Sequence, residues 1–125
     1  MDYLIWIVKI ILFISIVNVW LFRFNKETPW RGGQAKSMKD EFKTYGLSET
    51  MMYLIGGLKL VAALLLLISI WVPSLTLYGA GTMAILMVGA IIMHIKVSDP
   101  LKKSFPAFSF LVLSLVLLGY DSGLL

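Results

Sequence analysis

Four long apolar runs, separated by shorter polar stretches, dominate the sequence. They cover about residues 4–22, 52–72, 74–97 and 106–122, and each holds only one or two strongly polar side chains. A helix needs roughly 20 apolar residues to cross a bilayer. The pattern therefore predicts an all-α integral membrane protein, a four-helix bundle with up-and-down topology. Pro73 separates the second run from the third. So short a break predicts a tight antiparallel hairpin of the two helices.

Composition supports a single membrane domain over residues 1–125. Hydrophobic residues make up 59% of the chain and charged residues 14%, whereas soluble domains carry roughly a quarter charged residues. The chain has no cysteine, which excludes disulfide relays, iron–sulfur clusters and thiolate nucleophiles built from this chain alone. The start of the chain lacks the basic segment of a signal peptide, so we expect the first run to be retained.

The first loop, residues 23–50, is long enough to contain structure of its own. Met38, Phe42 and Tyr45 are spaced at i, i+4 and i+7, while most charged residues between 36 and 43 fall on other faces. The spacing predicts a short amphipathic interfacial helix over about residues 35–45, and Gly46 is a suitable C-terminal stop. We expect this helix to lie flat on membrane lipids. A specific lipid or partner site on the helix is the alternative.

Basic residues predict the orientation of the bundle. Nine of the eleven lysines and arginines fall in the first and third loops, which an up-and-down bundle places on one side: Arg23, Lys26, Arg31, Lys36, Lys39, Lys43, Lys96, Lys102 and Lys103. The positive-inside rule puts that side in the cytoplasm. The prediction is a multi-pass protein of a bacterial inner membrane with both termini outside. Because charge in a membrane protein follows this rule, the net charge of +4 does not indicate nucleic-acid binding.

Lys59 is the strongest single indication of a functional site. It lies well inside the second apolar run, and an intramembrane charge normally faces protein or water and has a partner or a role. Its helical neighbours are small, which predicts a face packed against other helices. A lysine that extends to the cytoplasmic interface is the competing interpretation. We predict that Lys59 belongs to a buried polar site.

Three further residues are predicted to share a polar layer with Lys59. His94 is the only histidine, and Asn18 and Arg23 lie near the cytoplasmic end of the first run. Such a layer suits an anionic head group, a quinone carbonyl or the carboxylate of a partner protein. One histidine without cysteine or a buried carboxylate makes a poor metal site, and no set of catalytic residues is recognisable. The predicted ligand is a quinone or a lipid, with no cofactor required.

Small residues in the apolar runs predict close helix packing. Residues 79–84 match the dinucleotide-binding pattern G-x-G-x-x-A, but they lie inside a run of membrane-span length with no βαβ unit around them. Small residues four apart instead let helix backbones approach. The residues predicted to pack helices are Gly56, Ala63, Ala80, Gly81 and Ala84. A bundle this small is also expected to form a homo-oligomer or a hetero-complex with another membrane protein.

Several of these segments together resemble the DoxX-like family of small membrane proteins. The resembling segments are residues 56–60, Pro73, residues 78–81, Gly89-Ala90 and His94, and the likeness extends over roughly residues 25–120. The resemblance implies a four-helix membrane bundle. It also implies links to other proteins, because some relatives are associated with thiosulfate:quinone oxidoreductase or membrane oxidoreductase complexes, and a related animal protein is a receptor-assembly chaperone.

The functional prediction is a small membrane accessory or scaffold protein of the DoxX-like type, a subunit or partner of a membrane complex. The absence of a recognisable catalytic set favours this interpretation over an enzyme acting alone. Two alternatives stay open: a quinone-linked membrane oxidoreductase subunit, and a protein that binds or transports a lipid or another small molecule. A copurifying quinone or phospholipid would distinguish them.

Overall fold

The computed structural model describes residues 2–124. Within that range all regular secondary structure is helical, with no strand. The α-helices are α1 Asp2–Val17, α2 Met38–Thr44, α3 Glu49–Ile68, α4 Thr76–Lys96 and α5 Phe105–Asp121. A π-helical turn, Asn18–Phe22, extends α1, and 3-10 turns at Pro73–Leu75 and Leu101–Ser104 precede α4 and α5. Four segments are long and apolar enough to cross a membrane: Tyr3–Phe22, Glu49–Ile68, Pro73–Lys96 and Leu101–Asp121. The predicted fold class is confirmed.

The helices form a ring in which α3 packs between α1 and α4, and α5 packs on α4 and α1. Two clusters of buried apolar side chains fill the interior. One lies at the end that carries the first loop, and we call this end the loop end; its members are Ile16, Trp20, Met38, Phe42, Met52, Ala62, Ala63, Met83, Met87 and Ala107. The other lies toward the α3–α4 turn, which we call the hairpin end; its members are Ile5, Val8, Leu12, Leu66, Ala80 and Leu117.

The α3–α4 hairpin is present, with boundaries that differ from the prediction. α3 begins at Glu49, where the hydroxyl of Ser48 accepts a hydrogen bond from the Met51 backbone N–H at 3.1 Å. It ends at Ile68, and residues 69–72 form a turn before Pro73. Ser capping explains the earlier start, because the cap satisfies an N–H group that an uncapped helix end leaves unpaired.

The amphipathic helix of the first loop is α2, and both of its ends are capped. Ser37 accepts a hydrogen bond from the Asp40 backbone N–H at 3.1 Å. At the other end Gly46 has φ +78°, and the N–H groups of Gly46 and Leu47 donate to the carbonyls of Lys43 and Phe42. This is a Schellman motif, whose left-handed position favours glycine. The prediction that Gly46 stops the helix is confirmed.

The apolar face of α2 packs on the protein, and here the expectation of a helix lying on lipid is wrong. Met38, Phe42 and Tyr45 are all buried, at 4–6% exposure. Phe42 contacts the indole of Trp20 edge-on, with ring centroids 5.9 Å apart. The helix covers the loop end of the bundle because the bundle offers it an apolar surface, and only its charged face stays exposed.

Candidate functional site

A cavity of about 780 Å³ lies at the loop end, lined by residues of α1, α3, α4, α5 and the first loop. The four residues predicted to form a polar layer all line it: Lys59, His94, Asn18 and Arg23. Its other polar walls come from residues that the prediction did not include, among them Arg31, Glu41, Tyr45 and Lys103. The structure therefore brings the predicted residues together and adds to them.

Asn18 and Trp20 reach the cavity through the π-helical turn. The Arg23 backbone N–H donates to the carbonyl of Asn18 at 2.9 Å, which is the i to i−5 bond of a π-helix. The extra residue in this turn changes the direction of the side chains that follow α1. Trp20 is 6% exposed as a result, although the residues after it, Leu21 and Phe22, are exposed.

Lys59 lies against the Trp20 indole, 5.3 Å from the ring centroid. Such a cation–π contact holds an ammonium group without a carboxylate partner. The backbone opposite the ring is Gly56, where an added Cβ would overlap the six-membered ring of Trp20. Glycine at 56 therefore makes room for Trp20, which in turn holds Lys59 at the cavity wall. In this structure the ammonium group of Lys59 therefore contacts protein.

His94 is paired with a carboxylate and makes no direct bond to Lys59. Its Nδ1 lies 2.7 Å from Asp99 Oδ2, and its ring contacts Tyr45 edge-on at 5.9 Å between centroids. Both His94 and Asp99 side chains are buried, at 7% and 4% exposure. Because Nδ1 is engaged by Asp99, Nε2 is the ring nitrogen left to meet a ligand.

Asp99 also fastens the first loop to the third. Its Oδ1 accepts a hydrogen bond from the Gly33 backbone N–H at 2.9 Å, and Lys103 donates to the Gly33 carbonyl. Burial raises the pKa of Asp99, but the hydrogen bonds from His94 and Gly33 and the charge of Lys103 lower it further, so that the pKa lies below its usual value. The carboxylate is therefore ionised at neutral pH and available to all three partners.

A buried arginine organises the first loop. Arg31 is 4% exposed, and its guanidinium donates to the Arg23 carbonyl at 2.6 Å, the Lys26 carbonyl at 3.0 Å and Glu41 Oε2 at 3.0 Å. The other oxygen of Glu41 accepts a hydrogen bond from the Tyr45 hydroxyl at 2.7 Å. Burial and the charge of Glu41 raise the pKa of Tyr45, so the phenol stays neutral and acts as a donor.

Further contacts hold the loop over the cavity. Lys96 donates to the Tyr45 carbonyl at 2.8 Å, at the C-terminal end of α2. Trp30 packs against Phe105 with ring centroids 6.2 Å apart. Together with Arg31 and Asp99, these contacts make residues 23–48 a folded cover over the loop end, and we call this segment the cover. Within the cover, the amphipathic pattern of the sequence predicts only the helix.

Lys9 is a second intramembrane lysine, and the predicted polar layer does not include it. Lys9 is 5% exposed, and its ammonium donates to Thr76 Oγ1 at 3.0 Å and to the Ser69 carbonyl at 3.4 Å. These partners belong to the α3–α4 turn, so Lys9 ties α1 to the hairpin end. Lys9 interrupts an apolar run as Lys59 does, and this signal in the sequence could have identified Lys9.

The predicted helix-packing residues are buried with one exception. Ala63 and Ala80 are fully buried and Ala84 is 8% exposed, while Gly56 accommodates Trp20. Gly81 makes no close contact within the described chain, since an added Cβ would meet no atom within 4 Å. Gly81 therefore does not pack against α3. The pattern does not say which side of the helix meets α3, and close contact of Gly81 with a second chain stays a prediction. Gly79 packs against α3 instead: a Cβ there would lie 3.0 Å from Leu66 Cγ and 3.1 Å from the Ala62 carbonyl oxygen.

The site combines hydrogen-bond donors with an apolar wall. Its basic groups suit an acceptor such as a carbonyl or an anion, and its apolar residues suit a hydrocarbon tail. Among residues 2–124, no three His, Cys, Asp or Glu side chains are grouped as metal ligands would be.

Comparison with known proteins identifies a family and no individual relative. Searches of curated proteins and of solved structures found no match. The profile of the DoxX-like family matches residues 30–117, well over half of the chain, and this range holds the cover from Trp30 onward together with Lys59 and His94. The chain belongs to the DoxX-like family of membrane proteins.

Proposed function

We propose that this protein binds an amphipathic small molecule, of lipid or quinone type, in the cavity at the loop end. The cavity itself carries the proposal: its volume of about 780 Å³ lies within the range of roughly 300–1,000 Å³ that is usual for ligand pockets. Such pockets are mostly apolar with a few polar groups that orient the ligand. This binding role corresponds to one of the alternatives left open by the sequence.

The walls of the cavity are suited to the two parts of such a ligand. Apolar side chains from α1, α4 and α5 provide a surface for a hydrocarbon tail, including Ile16, Met87, Ala90, Ala107 and Phe110. Polar donors lie toward the cover. A ligand with one polar end and one apolar end would satisfy both regions, whereas water would leave the apolar wall without a partner.

Replacing Gly89 with leucine is expected to abolish ligand binding without unfolding the protein. Gly89 lines the cavity, and an added Cβ there meets no atom within 4 Å, so the new side chain occupies space that a ligand would use. Leucine also favours a helix over glycine by about 0.8–1 kcal/mol. Native mass spectrometry of the gently extracted protein measures the fraction that carries a bound molecule, and we expect at least a tenfold decrease, on the order of 1.4 kcal/mol.

The matched control is Gly57→Leu, since Gly57 is exposed, has the same open space and lies outside the cavity wall. This variant should keep the wild-type bound fraction. The proposal fails if the wild-type protein carries no small molecule, or if Gly89→Leu carries as much as the wild type does.

The pairing of His94 with Asp99 favours a quinone as a second candidate. A neutral histidine whose Nδ1–H is held by a carboxylate presents Nε2 as a hydrogen-bond acceptor, and the hydroxyl of a reduced quinone is a donor. In this case the protein would serve a quinone-linked oxidoreductase, and the bound molecule in the mass spectra would be a quinone.

An accessory role in a membrane complex is compatible with both ligands and stays a proposal. Gly81 has no close neighbour within the described chain, so its face of α4 is open to a second copy or to another membrane protein. The same native mass spectra report whether such a partner accompanies the chain.

We further propose that the loop end faces the cytoplasm of a bacterial inner membrane. The two basic loops that the positive-inside rule depends on contact each other through Gly33, Asp99 and Lys103, which supports a single basic side. Reporter fusions at the C-terminus should show an external location, and a tag between α2 and α3 a cytoplasmic one. The reverse result would contradict the orientation.

A further inference from the structure

We infer that the head group of the ligand is an anion, a phosphate or a carboxylate attached to an apolar tail, and that Lys59 and Arg23 bind it. This inference rests on the ligand binding proposed above and narrows it to one chemical class. It follows from the charges at the cavity and from the partners that each charge already has.

Four basic side chains line the cavity: Arg23, Arg31, Lys59 and Lys103. Among the described residues, two carboxylates face this group. Glu41 lies 3.0 Å from Arg31, and Asp99, just outside the wall, lies 3.8 Å from Lys103 and 2.7 Å from His94. Without counting His94, four positive and two negative charges leave two positive charges unneutralised.

The two charges left over belong to Lys59 and Arg23. Within residues 2–124, neither side chain has a carboxylate within ion-pair distance. Lys59 contacts the Trp20 ring, which attracts the ammonium group but carries no net charge. Arg23 is exposed just after the π-helical turn that extends α1, and its own backbone carbonyl accepts a hydrogen bond from Arg31.

A neutral ligand would leave this excess charge in place, whereas an anion would reduce it. The cost of an unneutralised charge is greatest at Lys59, because it lies within the apolar span Glu49–Ile68 and is only partly exposed. Charge complementarity therefore favours an anionic head over a quinone. The apolar wall formed by residues such as Ile16, Ala107 and Phe110 leaves the remainder of the cavity to a tail.

The test compares ligands that share a tail and differ in the charge of the head. The full chain is stripped of lipid in a neutral detergent and titrated with oleate or methyl oleate, and separately with phosphatidylglycerol or phosphatidylcholine of identical acyl chains. Binding is followed by tryptophan fluorescence, because Trp20 and Trp30 line the cavity. We expect the anionic member of at least one pair to bind at least about tenfold more tightly. The pair that shows the preference distinguishes a free fatty acid from a phospholipid.

Two variants assign the preference to the named residues. Lys59→Gln and Arg23→Gln each remove one charge, and we expect the ratio of anionic to neutral affinity to fall at least about fivefold in each. Arg23 is exposed, so its variant remains informative if loss of Lys59 disturbs folding. Lys36→Gln is the matched control, because Lys36 is exposed in the same loop and does not line the cavity.

The outcomes separate the two proposals. Equal binding of anionic and neutral ligands, or an anionic preference that both glutamine variants retain in full, would overturn this inference and leave ligand binding intact. Binding of none of the four probes would overturn this inference, whereas the proposed ligand binding fails only if the wild-type protein also carries no small molecule in native mass spectra.

Discussion

Replacing Arg31 with methionine is expected to detach the cover and destabilise the protein by about 3 kcal/mol. The variant removes a buried guanidinium that bonds three backbone carbonyls and Glu41. Glu41, 13% exposed, would then be a nearly buried carboxylate without its ion-pair partner, and loss of one partner of such a pair costs roughly 3–5 kcal/mol. The measurements are SDS-induced unfolding, for the free energy, and the rate of proteolysis between α1 and α3.

Two comparisons make this prediction specific to the ion pair. Lys26→Met removes a charge from an exposed position of the same loop and should change stability by less than about 0.5 kcal/mol. Adding Glu41→Gln to the Arg31 variant should recover part of the loss, because an amide costs less to bury than an unpaired carboxylate. If the losses of unfolding free energy in the Arg31 and Glu41 single variants simply add in the double variant, the two side chains act independently.

The membrane fold was predictable because its signal is contiguous in the sequence. A run of about 20 apolar residues has few alternatives in a bilayer, where every backbone group needs an internal hydrogen bond. The same reasoning made Lys59 conspicuous, since a charge inside such a run is costly. Lys59 and His94 line one cavity in the structure because the α3–α4 hairpin places both residues in the half of the bundle at the loop end.

The cover was not predictable, because its contacts join residues that are far apart in the chain. Gly33 meets Asp99 across 66 residues, and Lys103 meets Gly33 across 70. Periodicity identified α2 and its apolar face but carried no information on whether lipid or protein would cover that face. Arg31 likewise had no local sign of burial, since it lies in a polar loop beside glycines.

The small residues show the same limit within a helix. Gly79 and Gly81 both belong to the pattern of small residues in α4, yet only Gly79 faces α3 closely enough to contact Leu66. Two residues along a helix differ in direction by about 200°, and small side chains carry no apolar moment that would select one direction. The structure was needed to choose between them.

Replacing Gly56 with leucine is expected to displace Trp20 and thereby remove the indole ring that Lys59 contacts. A Cβ at 56 would already overlap the Trp20 ring, which is 6% exposed and also contacts Phe42. Overpacking of this kind costs about 1–3 kcal/mol or more, and the better helix propensity of leucine returns only about 0.8–1 kcal/mol. We therefore expect a net loss of about 1–2 kcal/mol, measured by SDS-induced unfolding, with altered tryptophan fluorescence and loss of ligand binding.

The neighbouring glycine provides the control for this prediction. Gly57→Leu introduces the same side chain one residue later in α3, where an added Cβ meets no atom within 4 Å, and it should be neutral or slightly stabilising. Trp20→Ala combined with Gly56→Leu should be less destabilising than the sum of the two single changes, because removal of the indole frees the space that leucine needs. If Gly56→Leu and Gly57→Leu unfold alike and bind ligand alike, then close packing of Trp20 on Gly56 does not position Lys59.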